Sequence, residues 1–182
     1  MRVLILHGWG GSDYPHWQAI LSAKIACSYG TVSFPLIQHP HFPHLNRWKR
    51  EILNHIESFK PNIVVCHSLA NSVWFHLLLD NKAPYLDKLY IVAPPSMNTK
   101  HDMLSSFFPI KVPKSLNAKE AIVVVSDNDP WIDLTEADYL AKSWGVPLKI
   151  LKEAGHINIE SGYGQWNWIE NEILKGEKCH CC

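Results

Sequence analysis

An excess of charge of either sign is missing from this chain: 17 Lys and Arg stand against 17 Asp and Glu, for a formal net charge of zero. Binding to nucleic acid or an anionic membrane through phosphates draws on a basic excess, so neither partner is expected. No apolar run approaches the ~20 residues that a bilayer-spanning helix requires. The N-terminal run Val3-Leu4-Ile5-Leu6 is too short for a secretory signal. The expectation is a soluble, cytoplasmic protein. Cysteines are few and odd in number, five in all, with three crowded into Cys179-His180-Cys181-Cys182. Without a signal, a disulfide framework is not expected. No second Cys or His pair stands at finger-like spacing to turn the tail into a zinc site. The tail reads as a frayed terminus, and Cys27 and Cys66 read as small buried residues. Repeats, linkers and low-complexity segments are also missing. That leaves one domain over residues 1–176 and a Cys-rich tail over 177–182.

Nucleotide motifs are lacking as well. The pattern G-x-x-x-x-G-K-[ST] does not occur, and Gly8-Trp9-Gly10 fails as a dinucleotide fingerprint because Asp13 holds the third glycine position. The second strand also lacks a terminal acid for a ribose. His39-Pro40-His41-Phe42-Pro43-His44 offers three histidines, but their spacing fits no standard metal site, and the prolines make it an extended surface loop.

What is present is a chain of 182 residues, 47% of them hydrophobic, long enough to bury a sizeable core. Apolar runs without alternation predict buried parallel strands at 2–6, 31–34, 63–65, 88–93, 121–125 and 148–151. Helical spacing predicts helices from about His16 to Gly30, over Leu45–Phe59, after Ser68, over Leu134–Trp144 and from Gln165 to Leu174. Strands alternating with helices imply a three-layer α/β/α domain around a mostly parallel six-stranded sheet. Residues 96–118 show no clear period and form the longest irregular stretch.

The run Ile63-Val64-Val65 ends in Cys66-His67-Ser68-Leu69-Ala70, a serine flanked by small residues between a strand and a helix. That is the pattern of a nucleophile elbow, although a serine there can also be a plain helix cap. Other strand ends tip the balance. They carry His7-Gly8-Trp9-Gly10, Asp129 and His156, so Ser, Asp and His follow in that order, each just past a strand. A serine hydroxyl needs a base to take its proton, and the imidazole of His156 suits the task. A carboxylate must hold the other ring nitrogen; Asp129, deeper in its turn, is preferred, with Asp127 the alternative. The oxyanion of acyl transfer needs two N–H donors, assigned to Leu69 and Trp9. Gly8, Gly10 and Gly11 let the Trp9 loop come close. His7 and Trp131 are candidates for the substrate pocket, although for His7 a structural hydrogen bond is the preferred reading. Cys66 as a thiol nucleophile is disfavoured, because it precedes the turn and faces the core. This chemistry calls for no metal and no cofactor.

His7-Gly8-Trp9-Gly10-Gly11-Ser12, the Ser68 elbow, Asp129-Pro130 and the stretch from Ala154 to Gly164 together resemble the α/β-hydrolase superfamily. Within it, the chain is most similar to the small serine hydrolases related to retinoblastoma-binding protein 9. The resemblance implies a reduced hydrolase fold without a large cap, and a triad of Ser68, Asp129 and His156. Cys66 stands where that family usually has glycine. The expected activity is hydrolysis of a small ester, amide or peptide bond, with a small molecule or short peptide as the only implied partner. Without a cap, only residues 94–118 are expected to cover the site. A non-catalytic protein-binding module on the same fold is the competing reading.

Overall fold

Runs of β-branched and aliphatic residues, apolar on both sides, can bury both faces only inside a sheet covered twice. The computed structural model, which describes residues 1–28 and 30–174, shows such a sheet. Its strands are β1 (Arg2–Leu6), β2 (Thr31–Ser33), β3 (Ile63–His67), β4 (Leu86–Val92), β5 (Ala118–Ser126) and β6 (Leu148–Leu151). They lie in the order β2-β1-β3-β4-β5-β6, and every neighbouring pair is parallel. The Cys-rich tail falls outside the described residues.

Successive strand residues point to opposite faces, which divides the core in two. Leu4, Leu6, Val64 and Cys66 meet the helices α2 (Leu45–Phe59), α3 (Leu69–Leu79) and α4 (Leu134–Trp144) on one face. Val3, Ile5, Val65 and Val92 meet α1 (Trp17–Cys27) and α5 (Asn167–Leu174) on the other. On α2, Trp48, Ile52 and Ile56 form one apolar stripe, and all three are buried. Asp133 starts α4 by accepting the Glu136 N–H at 2.7 Å, and Gly145 ends it at φ 65°, a left-handed conformation glycine tolerates.

The departures from the sequence reading are local. β3 runs two residues further than its apolar core, through Cys66 and His67, because both side chains find buried places. The stretch expected to be irregular contains one short 3-10 turn, Asp102–Leu104, and sinks Leu104, Phe107, Ile110 and Leu116 into the core. Cys27, expected to be buried, is only partly so.

Candidate active site

The carboxyl ends of β1, β3, β5 and β6 bring their following loops to one rim of the sheet, where the parallel arrangement leaves a crevice. Ser68 sits there at φ 54° and ψ −127°, a strained conformation for a residue with a side chain. It occupies the cap position of α3, yet its side chain caps nothing. Its Oγ instead lies 2.7 Å from His156 Nε2. The strained turn is held from below: the Ser68 N–H donates to Val92 O at 3.0 Å. The fully buried Asn71 donates its side-chain amide to Ser68 O at 3.0 Å and to Val92 O at 2.9 Å. Cys66, the last residue but one of β3, points into the core, and burial pushes its thiol up, so it stays an inert thiol.

Asp129 lies in the β5–α4 loop, with both carboxylate oxygens 2.9–3.0 Å from His156 Nδ1. The pair therefore fixes an Nδ1–H tautomer and leaves Nε2 free to accept from Ser68. Asp129 Oδ1 also accepts the Trp131 N–H at 2.9 Å, which locks its own rotamer. Asp127 does a different job: it is exposed, and its Oδ1 accepts the Glu153 N–H at 2.7 Å. Ser126 and Asn128 complete this seam. Ser126 Oγ accepts from Ala154 N–H at 2.8 Å and donates to Asn128 Oδ1 at 2.7 Å. Asn128 Oδ1 also accepts from Gly155 N–H at 2.7 Å. The loop carrying the carboxylate and the loop carrying the imidazole are thus stitched together just before the residues that face each other. Gly155, at φ 52°, has no room for a Cβ beside Ser161.

The loop after β1 passes against Ser68: a Cβ on Gly8 would sit 2.6 Å from Ser68 Cβ. Trp9 follows it. The Gly10 N–H donates to Pro40 O at 3.0 Å and the Trp9 indole to His41 O at 3.2 Å, so the exposed His-Pro loop braces this segment. Leu69 opens α3, and the first N–H groups of a helix have no partner within it. His7 does not line the pocket. It is 1% exposed, its Nε2 accepts from the Ile37 N–H at 2.8 Å, and its Nδ1 lies 2.7 Å from Gly8 O. It supports the loop from beneath. Trp131, the other pocket candidate, does not line the cleft either; it stands behind it beside His156, ring centroids 6.2 Å apart, packed with Trp9 and His101.

A cleft of about 290 Å³ opens over Ser68, lined by residues of 8–13, His16, His67, His156 and 158–160. No residue of 94–118 lines it, so that segment is not the cover the sequence suggested. His101 packs edge-on against Trp9 at 4.8 Å instead, and Phe107 is buried against Trp48 at 6.0 Å. A larger cavity of about 780 Å³ lies at the other end of the sheet, near Met1, Asn62, Lys88 and Glu172, and contains none of these groups. A hydroxyl, an imidazole and a carboxylate in one hydrogen-bonded line, beside the first turn of a helix, can take up acyl groups and release them.

Residues 3–175 match the family described as serine hydrolase. The chain belongs to the serine hydrolase family. This serine hydrolase is similar in fold to the ydeN gene product of B. subtilis, with a TM-score of 0.82 at 18% identity over 96% of this chain and 97% of that one. It is similar to a YdeN-like hydrolase from Pectobacterium atrosepticum, with a TM-score of 0.79 at 23% identity over 96% and 90% of the two chains. It is also similar to Est1E from Butyrivibrio proteoclasticus, with a TM-score of 0.69 at 13% identity over 96% and 85%. At these identities the likeness shows the fold, a small α/β hydrolase. The B. subtilis protein YdjC is 33% identical over 51 residues, a match spanning 28% of this chain and 44% of that protein. The narrower tie to hydrolases related to retinoblastoma-binding protein 9 rests on the motifs alone.

Several residues that hold the serine hydrolase site together were not singled out from the sequence. Asn71 sits three residues after Ser68, where a polar residue in the buried first turn of α3 was the available signal. Ser126 and Asn128 stood in a Ser-Asp-Asn-Asp cluster that announces a turn but not its partner loop. His16 and His67 line the cleft, their rings 5.2 Å apart. His67 was visible only as the variable residue of the elbow.

Proposed function

We propose that this serine hydrolase cleaves a small carboxylic ester, or an amide or short-peptide bond, through an acyl-enzyme on Ser68. The observation that carries the reading is the unbroken line from Ser68 Oγ through His156 to Asp129, 2.7 Å and then 2.9–3.0 Å. Ser68 Oγ attacks the carbonyl carbon while its proton passes to His156 Nε2. Asp129 holds the Nδ1–H and faces the imidazolium that forms. The amides of Trp9 and Leu69 receive the oxyanion. Collapse breaks the bond to the leaving group, which takes the proton from His156. Water then attacks the acyl carbon, gives a proton to the same nitrogen, and releases the acid as Ser68 recovers its hydrogen.

The cleft volume supports a small acyl group, with Trp9 as an aromatic wall for it. The fold neighbour Est1E has also been determined with ferulic acid bound, an aromatic acid of the size class proposed here. A fluorophosphonate probe is expected to label the protein and not Ser68→Ala. With p-nitrophenyl esters, Ser68→Ala should lower kcat by about 10⁴-fold or more. An unlabelled, folded wild type would turn the reading to a non-catalytic protein-binding module on a hydrolase fold.

A further inference from the structure

We propose that His67 is a positioning residue that clamps the main chain of His156 and thereby sets the base against the nucleophile. The inference rests on the Ser68–His156 reading above. His67 ends β3, one peptide bond before Ser68, and is 3% exposed. Its Nε2 lies 3.0 Å from the His156 carbonyl oxygen. A carbonyl only accepts, so Nε2 carries the proton and Nδ1 keeps a lone pair. Nδ1 is buried with no hydrogen-bond partner among the described residues. An unmet buried acceptor is unfavourable, and a phenyl ring would fill the same aromatic slot, between Trp17 at 5.6 Å and His16 at 5.2 Å, without it. What a phenyl ring cannot supply is the bond to His156. Burial, with His156 and His16 close by, holds the His67 imidazole well below its ordinary pKa, which keeps it neutral.

The His156 loop needs such a clamp. Glu153, Gly155 and Ile157 all have φ between 51° and 52°, and for a β-branched residue such as Ile157 that is genuine strain. The His156 N–H is held by Ser161 Oγ at 3.2 Å, so His67 supplies the matching restraint on the carbonyl side. Because His67 and Ser68 are adjacent, the clamp measures the base directly from the nucleophile. A displacement of about 1 Å between reacting groups can cost on the order of 10²-fold in rate.

Three variants test this with p-nitrophenyl butyrate as the probe. His67→Phe keeps an aromatic ring and loses the donor. His67→Gln places an N–H at the same reach from the backbone, and His67→Asn falls one methylene short. We expect kcat to fall about 10²-fold in His67→Phe and His67→Asn, with KM within about threefold of wild type. His67→Gln should regain about tenfold or more. The low-field Nδ1–H proton resonance of His156 should broaden in the Phe and Asn variants and stay sharp in Gln. If Phe fails to fold, the Gln–Asn contrast decides. Equal kcat for Gln and Asn, a wild-type kcat in a folded Phe variant, or a loss confined to KM would overturn the clamp. Fluorophosphonate labelling separates the two failures: an unlabelled wild type rejects the nucleophile, whereas a labelled wild type with indifferent His67 variants rejects only the clamp.

Discussion

Gly8 owes its identity to contact rather than to a turn. A methyl group there would meet Ser68 Cβ at 2.6 Å and drive the β1 loop away from Ser68. Gly8→Ala should therefore move the Trp9 amide off the oxyanion and lower kcat by about 10²–10³-fold, the usual loss for one such donor. Steady-state kinetics with a p-nitrophenyl ester measures it, and an unchanged kcat would remove Trp9 from the oxyanion assignment. At this scale the sequence was most informative where a residue's chemistry is rare at its position. A serine between small residues after an apolar run, and an acid and a histidine each beyond a later strand, marked Ser68, Asp129 and His156 without coordinates. His7 stood open between pocket and support for a physical reason: a histidine beside Gly8 reads the same whether its ring faces a substrate or, as in the preferred reading, a structural partner, here the Ile37 amide beneath the loop.

Among elements, the seam between the β5–α4 loop and the loop after β6 sets the distance from carboxylate to imidazole. Asn128 Oδ1 accepts from both Ser126 Oγ and the Gly155 N–H, so Asn128→Ala removes two bonds at once. The variant is expected to lose about 1–3 kcal/mol of stability, from an unmet amide and a released turn. It should also lose activity beyond what denaturant melts explain. Urea unfolding alongside kcat checks both, and a destabilised variant with full kcat would show that the Asp129–His156 pair does not depend on the seam. The helices were legible because their spacing shows an apolar stripe, as Trp48, Ile52 and Ile56 do on α2. The seam was not, since turn-forming residues declare a turn but not the loop 28 residues away that takes up their oxygens.

For the molecule as a whole, three buried histidines make stability depend on pH. Burial holds His7 below its ordinary pKa, lowers His16 to about 4 and holds His67 well below 6.5. Unfolded histidines bind protons near 6.5 that the folded ones refuse. Stability should then be full above 6.5, fall as the pH drops from 6.5 towards 4, and level off, for His16, below 4. Thermal melts across this range test it. His16→Asn, whose amide oxygen can take over the cap that His16 Nδ1 gives the Gln18 N–H, should make the decline shallower. An equal slope in the variant would clear His16 of the effect. The sequence by itself determined the parallel sheet, its helices and the three strand ends where reactive groups stand, because backbone periodicity and strand polarity are local properties. Only the tertiary structure decided that Asp127 turns to the Glu153 amide while Asp129 faces His156, that Leu104, Phe107, Ile110 and Leu116 sink into the core, and that His67 Nε2 meets the His156 carbonyl. Each of these depends on distances between segments far apart along the chain, which close packing settles and no local pattern encodes.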